Sequence, residues 1–108
     1  MLDFEIEDVG NVSKIAIVGR LTFDANLTFR RIVKSVAQNT GGSVCVDLSR
    51  LEFIDSAGLG MLLLLRETAA TASAKLWLTD PRGQVRRLLS VSHFHRLIPI
   101  EGMEELAP

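Results

Sequence analysis

Ser56 is the residue whose setting points most directly to chemistry. It stands in the run Asp55-Ser56-Ala57-Gly58-Leu59-Gly60, between an apolar stretch and a series of strong helix formers. A hydroxyl at the junction between a buried strand and a helix lies where open α/β sheets place their functional groups. The free amides and the dipole of a helix N-terminus also stabilise negative charge. The pattern therefore fits two roles: Asp55 or Ser56 caps the helix, and Ser56 can carry a phosphate without loss of the fold.

Two glycines fall in the first turn of the predicted helix, at Gly58 and Gly60. Each costs about 1 kcal/mol of helix stability relative to alanine, so some other requirement must favour them. One explanation is close packing of the helix on its own sheet. The other is that a partner protein's backbone, or a nucleotide, approaches Ser56 over a surface with no side chains in the way. The sequence is compatible with both.

Other chemistries fit this stretch poorly. The chain order Ser56, Asp80 and then His93 or His95 matches a hydrolase triad, but Ile54 stands where the nucleophile elbow requires glycine. The glycines do not form a nucleotide phosphate loop, because no lysine followed by serine or threonine is present. The two histidines lack a cysteine pair or a third histidine to complete a metal site. We therefore expect no enzyme activity, no metal and no cofactor.

The elements that must position Ser56 follow from hydrophobic periodicity. Alternation over residues 2–7 and a more apolar run over 13–18 predict a pair of antiparallel strands. A helix capped by Thr22 or Asp24 should then extend to about Gln38, with Phe23 packed in the core. The apolar run over 44–48 predicts a central strand that is buried on both faces, followed by the Ser56 helix.

The second half of the chain repeats this alternation of strand and helix. Residues 75–79 predict a strand, and Asp80-Pro81 predicts a helix start, because aspartate caps free amides and proline is tolerated at the first helical position. His95 to Ile100 predicts a short edge strand, and 101–108 a flexible acidic tail. The predicted fold class is α/β: one domain over residues 1–100, with a mixed sheet of four or five strands and helices packed against it.

Composition limits the classes of function. The chain has 108 residues, 47% of them hydrophobic and 23% charged, as expected for one soluble domain. Its net charge of −1 does not match the basic footprint of a nucleic-acid binder and gives no general attraction to an anionic membrane. No apolar run approaches the roughly 20 residues that span a bilayer, and the N-terminus does not read as a signal peptide. We expect a cytoplasmic protein with no nucleic-acid partner and no membrane insertion.

The motif around Ser56 resembles the signature of the STAS domain, the fold of the anti-sigma factor antagonists. The resemblance rests on the hexapeptide from Asp55 to Gly60, on the apolar strand ending in Asp47-Leu48, and on the Leu-x-Phe-Ile sequence before the motif. Weaker matches extend it over roughly residues 3 to 100, in the order Gly19-Arg20-Leu21, Leu76-Trp77-Leu78 and Val85-Arg86-Arg87-Leu88-Leu89.

The resemblance implies a role in bacterial-type partner switching and transcription regulation. In the antagonists, the serine after the motif aspartate is phosphorylated by a partner that is both serine kinase and anti-sigma factor. The unphosphorylated form binds that partner and frees the sigma factor, and a serine phosphatase resets the switch. Here the implied phosphoacceptor is Ser56. The implied partner-binding surface comprises Asp55, Ser56, Ala57, Gly58, Leu59, Gly60, Thr22 and Asp24. Whether the domain forms a homodimer is left open.

One departure from the family pattern bears on the partner. Many antagonists carry an aspartate directly after the early Gly-x-Leu, but here Thr22 and Phe23 follow, and Asp24 comes two places later. If Asp24 does not substitute, the domain would serve a different switch, in sensory or biofilm control. The family also includes accessory subunits of lipid ABC transport systems and domains of anion transporters. A serine at position 56 and the absence of an attached transporter favour the phosphorylation switch.

Overall fold

The computed structural model describes residues 1–103. Within them, five strands form one sheet in the order β1-β2-β3-β4-β5, with β1 antiparallel to β2 and every other pair parallel. The strands are β1 (Leu2–Val9), β2 (Val12–Leu21), β3 (Ser43–Ile54), β4 (Lys75–Thr79) and β5 (Ile100–Glu101). The predicted fold class, α/β with a mixed sheet of four or five strands, is confirmed.

The helices connect the parallel strands and bury one face of the sheet. They are α1 (Asn26–Ala37), α2 (Ser56–Thr71) and α3 (Gly83–Val91), and α1 packs against α2. Alternate residues of β2 and β3, such as Ile15, Ile17 and Val46, join side chains of all three helices in one hydrophobic core. In the described part of the chain, no helix is both long and apolar enough to cross a membrane.

The segment after β2 differs from the prediction. The helix begins at Asn26, after a 3-10 turn over Phe23–Ala25, and neither Thr22 nor Asp24 caps it. The Thr22 hydroxyl instead donates a hydrogen bond to the Asp24 carboxylate, a local pairing that competes with capping. Phe23 was expected in the core, but it is 74% exposed because Ala25 is the residue that this turn buries.

The approach to α3 also differs. The helix begins at Gly83 and not at Asp80-Pro81. Asp80 has a left-handed backbone (φ 61°), and its carboxylate pairs with Arg82 at 3.2 Å, so it does not cap the helix amides. Gly83 also has a positive φ, of 53°, which favours glycine there.

The last predicted strand is shorter than expected. Phe94–Arg96 form a 3-10 turn, and the strand is confined to Ile100–Glu101, which pair with Leu78 and Thr79 of β4. Glu101, placed in the predicted tail, therefore belongs to the sheet. The rest of that tail, over 104–108, lies outside the described residues.

Candidate partner-binding site around Ser56

The site lies where β2 and β3 end side by side. Leu21 and Ile54 form the last pair of the parallel ladder, so the residues that follow each strand emerge at the same edge of the sheet. The Asp55 amide donates to the Leu21 carbonyl at 3.4 Å, which connects the two segments directly. The topology therefore places Thr22 and Asp24 in the segment next to Asp55 and Ser56.

Asp55 caps helix α2. Its backbone is extended (φ −113°, ψ −173°), and its Oδ1 accepts a hydrogen bond from the Gly58 amide at 2.8 Å. Ser56 is therefore the first helical residue and is not the cap. Ser56 is exposed, and within residues 1–103 its hydroxyl makes no hydrogen bond. The fold thus does not need this hydroxyl for capping.

Gly58 is required by the packing of α2 on the sheet. The residue is buried in the first turn, and an added Cβ would overlap the Leu21 carbonyl oxygen and lie 2.6 Å from Cγ1 of Ile54. Real Cβ atoms do not approach other atoms so closely, so a larger residue would push the helix away from the strand ends. The structural explanation accounts for this glycine.

Gly60 has no such requirement. It is exposed, and an added Cβ would meet no atom of the described chain within 4 Å. It lies one helical turn after Ser56, on the same side of α2, and leaves that surface without a side chain. Close packing within the domain therefore does not explain Gly60, and the approach of a partner over this position stays a prediction.

The Thr22–Asp24 segment places an anionic group beside this surface. The hydrogen bond from the Thr22 hydroxyl is the main reason why the pKa of the Asp24 carboxyl lies below its ordinary value. Asp24 is exposed and therefore ionised at neutral pH. The hydrogen bond from Thr22 keeps the carboxylate within the turn.

Exposed apolar side chains border the site, and the sequence reading missed them. Phe23 and Leu27 are each 74% exposed, and Leu64 is 46% exposed. Both α1 and α2 start near the edge at which β2 and β3 end, and the two helices pack against each other. Ser56, Gly60 and Leu64 follow one another at four-residue intervals along α2. We call Phe23, Leu27, Ser56, Gly60 and Leu64 the Ser56 surface.

The exposed apolar residues Phe23 and Leu27 could have been recognised from their spacing in the sequence. The buried residues of α1 are Phe29, Ile32 and Val36, and Leu27 does not share their spacing. A leucine outside the buried stripe, four residues after a phenylalanine, indicates an apolar patch that no internal contact requires.

Gln84 also belongs to the site, although it comes from α3. Its Nε2 donates to the Ile54 carbonyl at 2.8 Å, and its Oε1 accepts from the Ile54 amide at 2.9 Å. Pairing between β3 and β4 ends at Asp47 and Thr79, so no strand residue occupies this side of Ile54. A glutamine in a helical first turn is too ordinary for sequence reasoning to single out.

Comparison with known proteins identifies a family. The profile described as "Mlab, STAS domain" matches residues 4–99. A STAS-domain containing protein of Pseudomonas aeruginosa is 38% identical over 91 residues, which cover 84% of this chain and 89% of that protein. BtrV of Bordetella bronchiseptica, provisionally named an anti-sigma factor antagonist, is 33% identical over 64 residues, covering 59% of this chain and 55% of BtrV.

Solved structures share the fold. An anti-sigma factor antagonist from Mycobacterium paratuberculosis matches with a TM-score of 0.80 at 20% identity, covering 95% of this chain and 87% of that one. The antagonist SpoIIAA in its unphosphorylated form matches with a TM-score of 0.71 at 22% identity, covering 94% and 90%. Its phosphorylated form, from Bacillus, matches at 0.65 and 20% identity, covering 94% and 93%.

Proposed function

The chain belongs to the STAS domain family, and from this premise we propose that it is an anti-sigma factor antagonist whose binding to its partner is switched off by phosphorylation of Ser56. The partner would be an anti-sigma factor that is also a serine kinase, and a serine phosphatase would restore the binding form. The family is generally non-enzymatic, and this chain would be the substrate of the kinase and not a catalyst. The pathway would operate in the cytoplasm.

The observation that carries the proposal is the division of roles between Asp55 and Ser56. Asp55 caps α2, so the exposed Ser56 hydroxyl at the first helical position takes no part in holding the helix. A phosphate there would add about −1.5 to −2 charges. The amides and dipole of the helix N-terminus stabilise a negative group by about 0.3–1 kcal/mol. The phosphorylated domain should therefore keep its fold, and SpoIIAA is a protein of this fold with structures in both forms.

The surroundings of Ser56 explain why the phosphate would release a partner. A protein that packs closely over Gly60 and the exposed Phe23 and Leu27 must exclude water from the Ser56 surface. Burying an unpaired phosphate at such an interface costs several kcal/mol, of order 3–5 by comparison with a broken buried ion pair. Each 1.4 kcal/mol is a tenfold loss of affinity. The switch therefore requires no change of conformation.

The first test is intact-mass spectrometry of the protein purified from its own cells, with peptide mapping of any added phosphate. We expect one phosphate, on Ser56. Ser56→Asp should fold normally and lose the partner that copurifies with Ser56→Ala. Ser90→Asp is the matched control, because Ser90 is also exposed on a helix but lies on α3.

Two outcomes would overturn the proposal. If Ser56→Asp and Ser56→Ala both bind the partner like the wild type, the charge at this position does not control binding. If no growth condition yields a phosphate and a transporter subunit copurifies instead, the domain is an accessory subunit of a lipid ABC transport system or another transporter.

A further inference from the structure

One side chain holds the peptide group that precedes the Ser56 motif. The Ile54 carbonyl accepts from Gln84 Nε2 at 2.8 Å, and the N–H of the same peptide group, which belongs to Asp55, donates to the Leu21 carbonyl at 3.4 Å. Because a peptide group is planar, contacts at its two ends set the orientation of the whole plane. The contact with Gln84 is much the shorter, so Gln84 holds this plane more firmly than β2 does.

The orientation of that plane determines where Asp55 and Ser56 lie. The N–H of this plane is the backbone amide of Asp55. The Asp55 carboxylate must lie within hydrogen-bond distance of the Gly58 amide to cap α2, and it does so at 2.8 Å. Ser56 is the next residue. A rotation of the plane would move the cap away from Gly58 and would displace the Ser56 hydroxyl relative to Gly60.

Gln84 holds Ile54 as a neighbouring strand would. Ile54 is fully buried, so water cannot replace a lost partner at its amide and carbonyl. Glutamine is suited to this task because its amide presents one acceptor and one donor in a plane, as a peptide group does. Leucine or methionine would fill the same space and offer neither group.

We propose that Gln84 is a positioning residue for Ser56: by holding the Ile54–Asp55 peptide plane, it presents the Ser56 hydroxyl to the kinase and the Ser56 surface to the partner. Its effect on phosphorylation rests on the proposed function. Its effect on the geometry of the motif is a property of this chain alone and is measured separately.

The test uses Gln84→Glu, whose side chain has the same shape and a hydrogen-bonding capacity that depends on pH. A protonated carboxyl group offers a donor and an acceptor, as the glutamine amide does, whereas the carboxylate only accepts. The ionised side chain would face the Ile54 carbonyl without a proton to donate. Partial burial and the facing carbonyl should raise the pKa of the introduced carboxyl above the usual value of about 4.3.

We expect the backbone amide NMR signals of Ile54, Ser56 and Gly58 in Gln84→Glu to match the wild type at acidic pH. They should move away from it as the introduced carboxyl ionises. Hydrogen exchange of the Gly58 amide with solvent should be about tenfold faster than in the wild type once the carboxyl of Gln84→Glu is ionised. In Gln84→Met the exchange should be faster by a similar factor at every pH. Each variant is compared with the wild type at the same pH, and Ser90→Glu, which places the same charge on an exposed position of α3, should follow the wild type throughout. Gln84→Met separates the two explanations, because it fills the space without adding a charge. If Gln84 only filled space, the motif signals and the Gly58 exchange rate of Gln84→Met would match the wild type.

The phosphate occupancy of Ser56 in the protein's own cells provides the second readout. We expect it to fall about tenfold in Gln84→Met and to remain at the wild-type level in Ser90→Glu. Amide signals of the motif that coincide with the wild type in Gln84→Met and in ionised Gln84→Glu would overturn the proposal. So would shifted signals with unchanged occupancy. A wild type that never carries phosphate would instead contradict the proposed function, while the amide signals would still decide the geometric role of Gln84.

Discussion

Replacing Gly60 with alanine should stabilise the protein, whereas the same change at Gly58 should destabilise it. The two glycines lie two residues apart in one helix and look alike in the sequence. In the structure, a Cβ at position 60 meets nothing within 4 Å, and a Cβ at position 58 overlaps the Leu21 carbonyl oxygen. Identical substitutions therefore separate the intrinsic helix preference from the packing.

The magnitudes follow from these surroundings. At Gly60 only the helix propensity changes, so the free energy of unfolding should rise by about 0.5–1 kcal/mol. That corresponds to a Tm higher by about 2–8 °C for a domain of this size. At Gly58 the same gain is opposed by an overpacking cost of about 1–3 kcal/mol. The net result should be a loss of up to roughly 2.5 kcal/mol, with a central value of about 1 kcal/mol.

Urea and thermal unfolding, followed by circular dichroism, would measure both variants against the wild type. Equal m-values are needed for the comparison, because a changed slope would mean that the unfolded or native state had altered. A Gly60→Ala protein less stable than the wild type would refute the claim that nothing lies near this position. A Gly58→Ala protein as stable as the wild type would refute the claim that α2 depends on close approach to Leu21.

The same Gly60→Ala protein also tests the partner surface. A methyl group placed one turn from Ser56 should hinder close approach, so partner binding should weaken at least tenfold although the domain is more stable. A loss of binding with a gain of stability has no explanation in misfolding. Binding and Ser56 phosphorylation at wild-type levels would show that Gly60 does not serve the interface.

Two further predictions concern the segment between β2 and α1. Phe23→Ser should change the free energy of unfolding by no more than about 0.5 kcal/mol, since the ring is 74% exposed, yet it should weaken partner binding tenfold or more in a titration. The control is Val91→Ser, at a 68% exposed apolar position on α3, which should leave binding unchanged. An equal effect of both variants on binding would contradict a localised surface. Thr22→Val should bring the pKa of Asp24 back towards its ordinary value, measured by NMR titration of the carboxyl. Because the pKa of Asp24 is lower in the folded state, the ionised carboxyl contributes stability at neutral pH, and this stability is lost as the pH falls through the folded pKa. The loss should be smaller in Thr22→Val. An Asp24 titration identical to the wild type would show that the hydroxyl does not cause the shift.

The sheet could be predicted because its signals are local. In β1, Leu2 and Phe4 alternate with acidic residues; in the structure Leu2 is buried in the core, and the half-buried Phe4 packs against it. Strands β2 and β3 are richer in apolar residues than β1, as expected for strands that each lie between two neighbours in the sheet. Asp55 and Ser56 are both residue types that cap helices, and only the structure shows that Asp55 takes this role in α2.

The two helix starts that were wrong show why caps are harder to predict than strands. Thr22, Asp24 and Asp80 are all good capping residues; either Thr22 or Asp24 was expected to cap the first helix, and Asp80 the last. Each of the three side chains has another partner close by in the chain: Thr22 bonds to Asp24, and Asp80 pairs with Arg82. Sequence alone shows that such a residue can bond locally, but the choice between partners depends on where the preceding strand ends.

The parts of the site that could not be predicted depend on contacts across elements. Gly58 and Gly60 have the same cost in an isolated helix, and only the approach of Leu21 distinguishes them. Gln84 holds Ile54 from thirty residues away because β4 ends early. Neither fact leaves a mark in the spacing of residues along the chain.

The charges already present at the site limit how a phosphate on Ser56 can act. Asp24 is ionised next to the motif, and the Asp55 carboxylate is engaged with the Gly58 amide. A partner that bound the unmodified surface through charge alone would place positively charged side chains against Asp24. Those side chains would also attract a phosphate on Ser56. Under the proposed function, release would therefore come from the part of the surface that excludes water, where Phe23 and Leu27 are exposed and Gly60 allows close approach. On this reasoning, the apolar border and the glycine make the added charge costly, and the nearby aspartates only increase that cost.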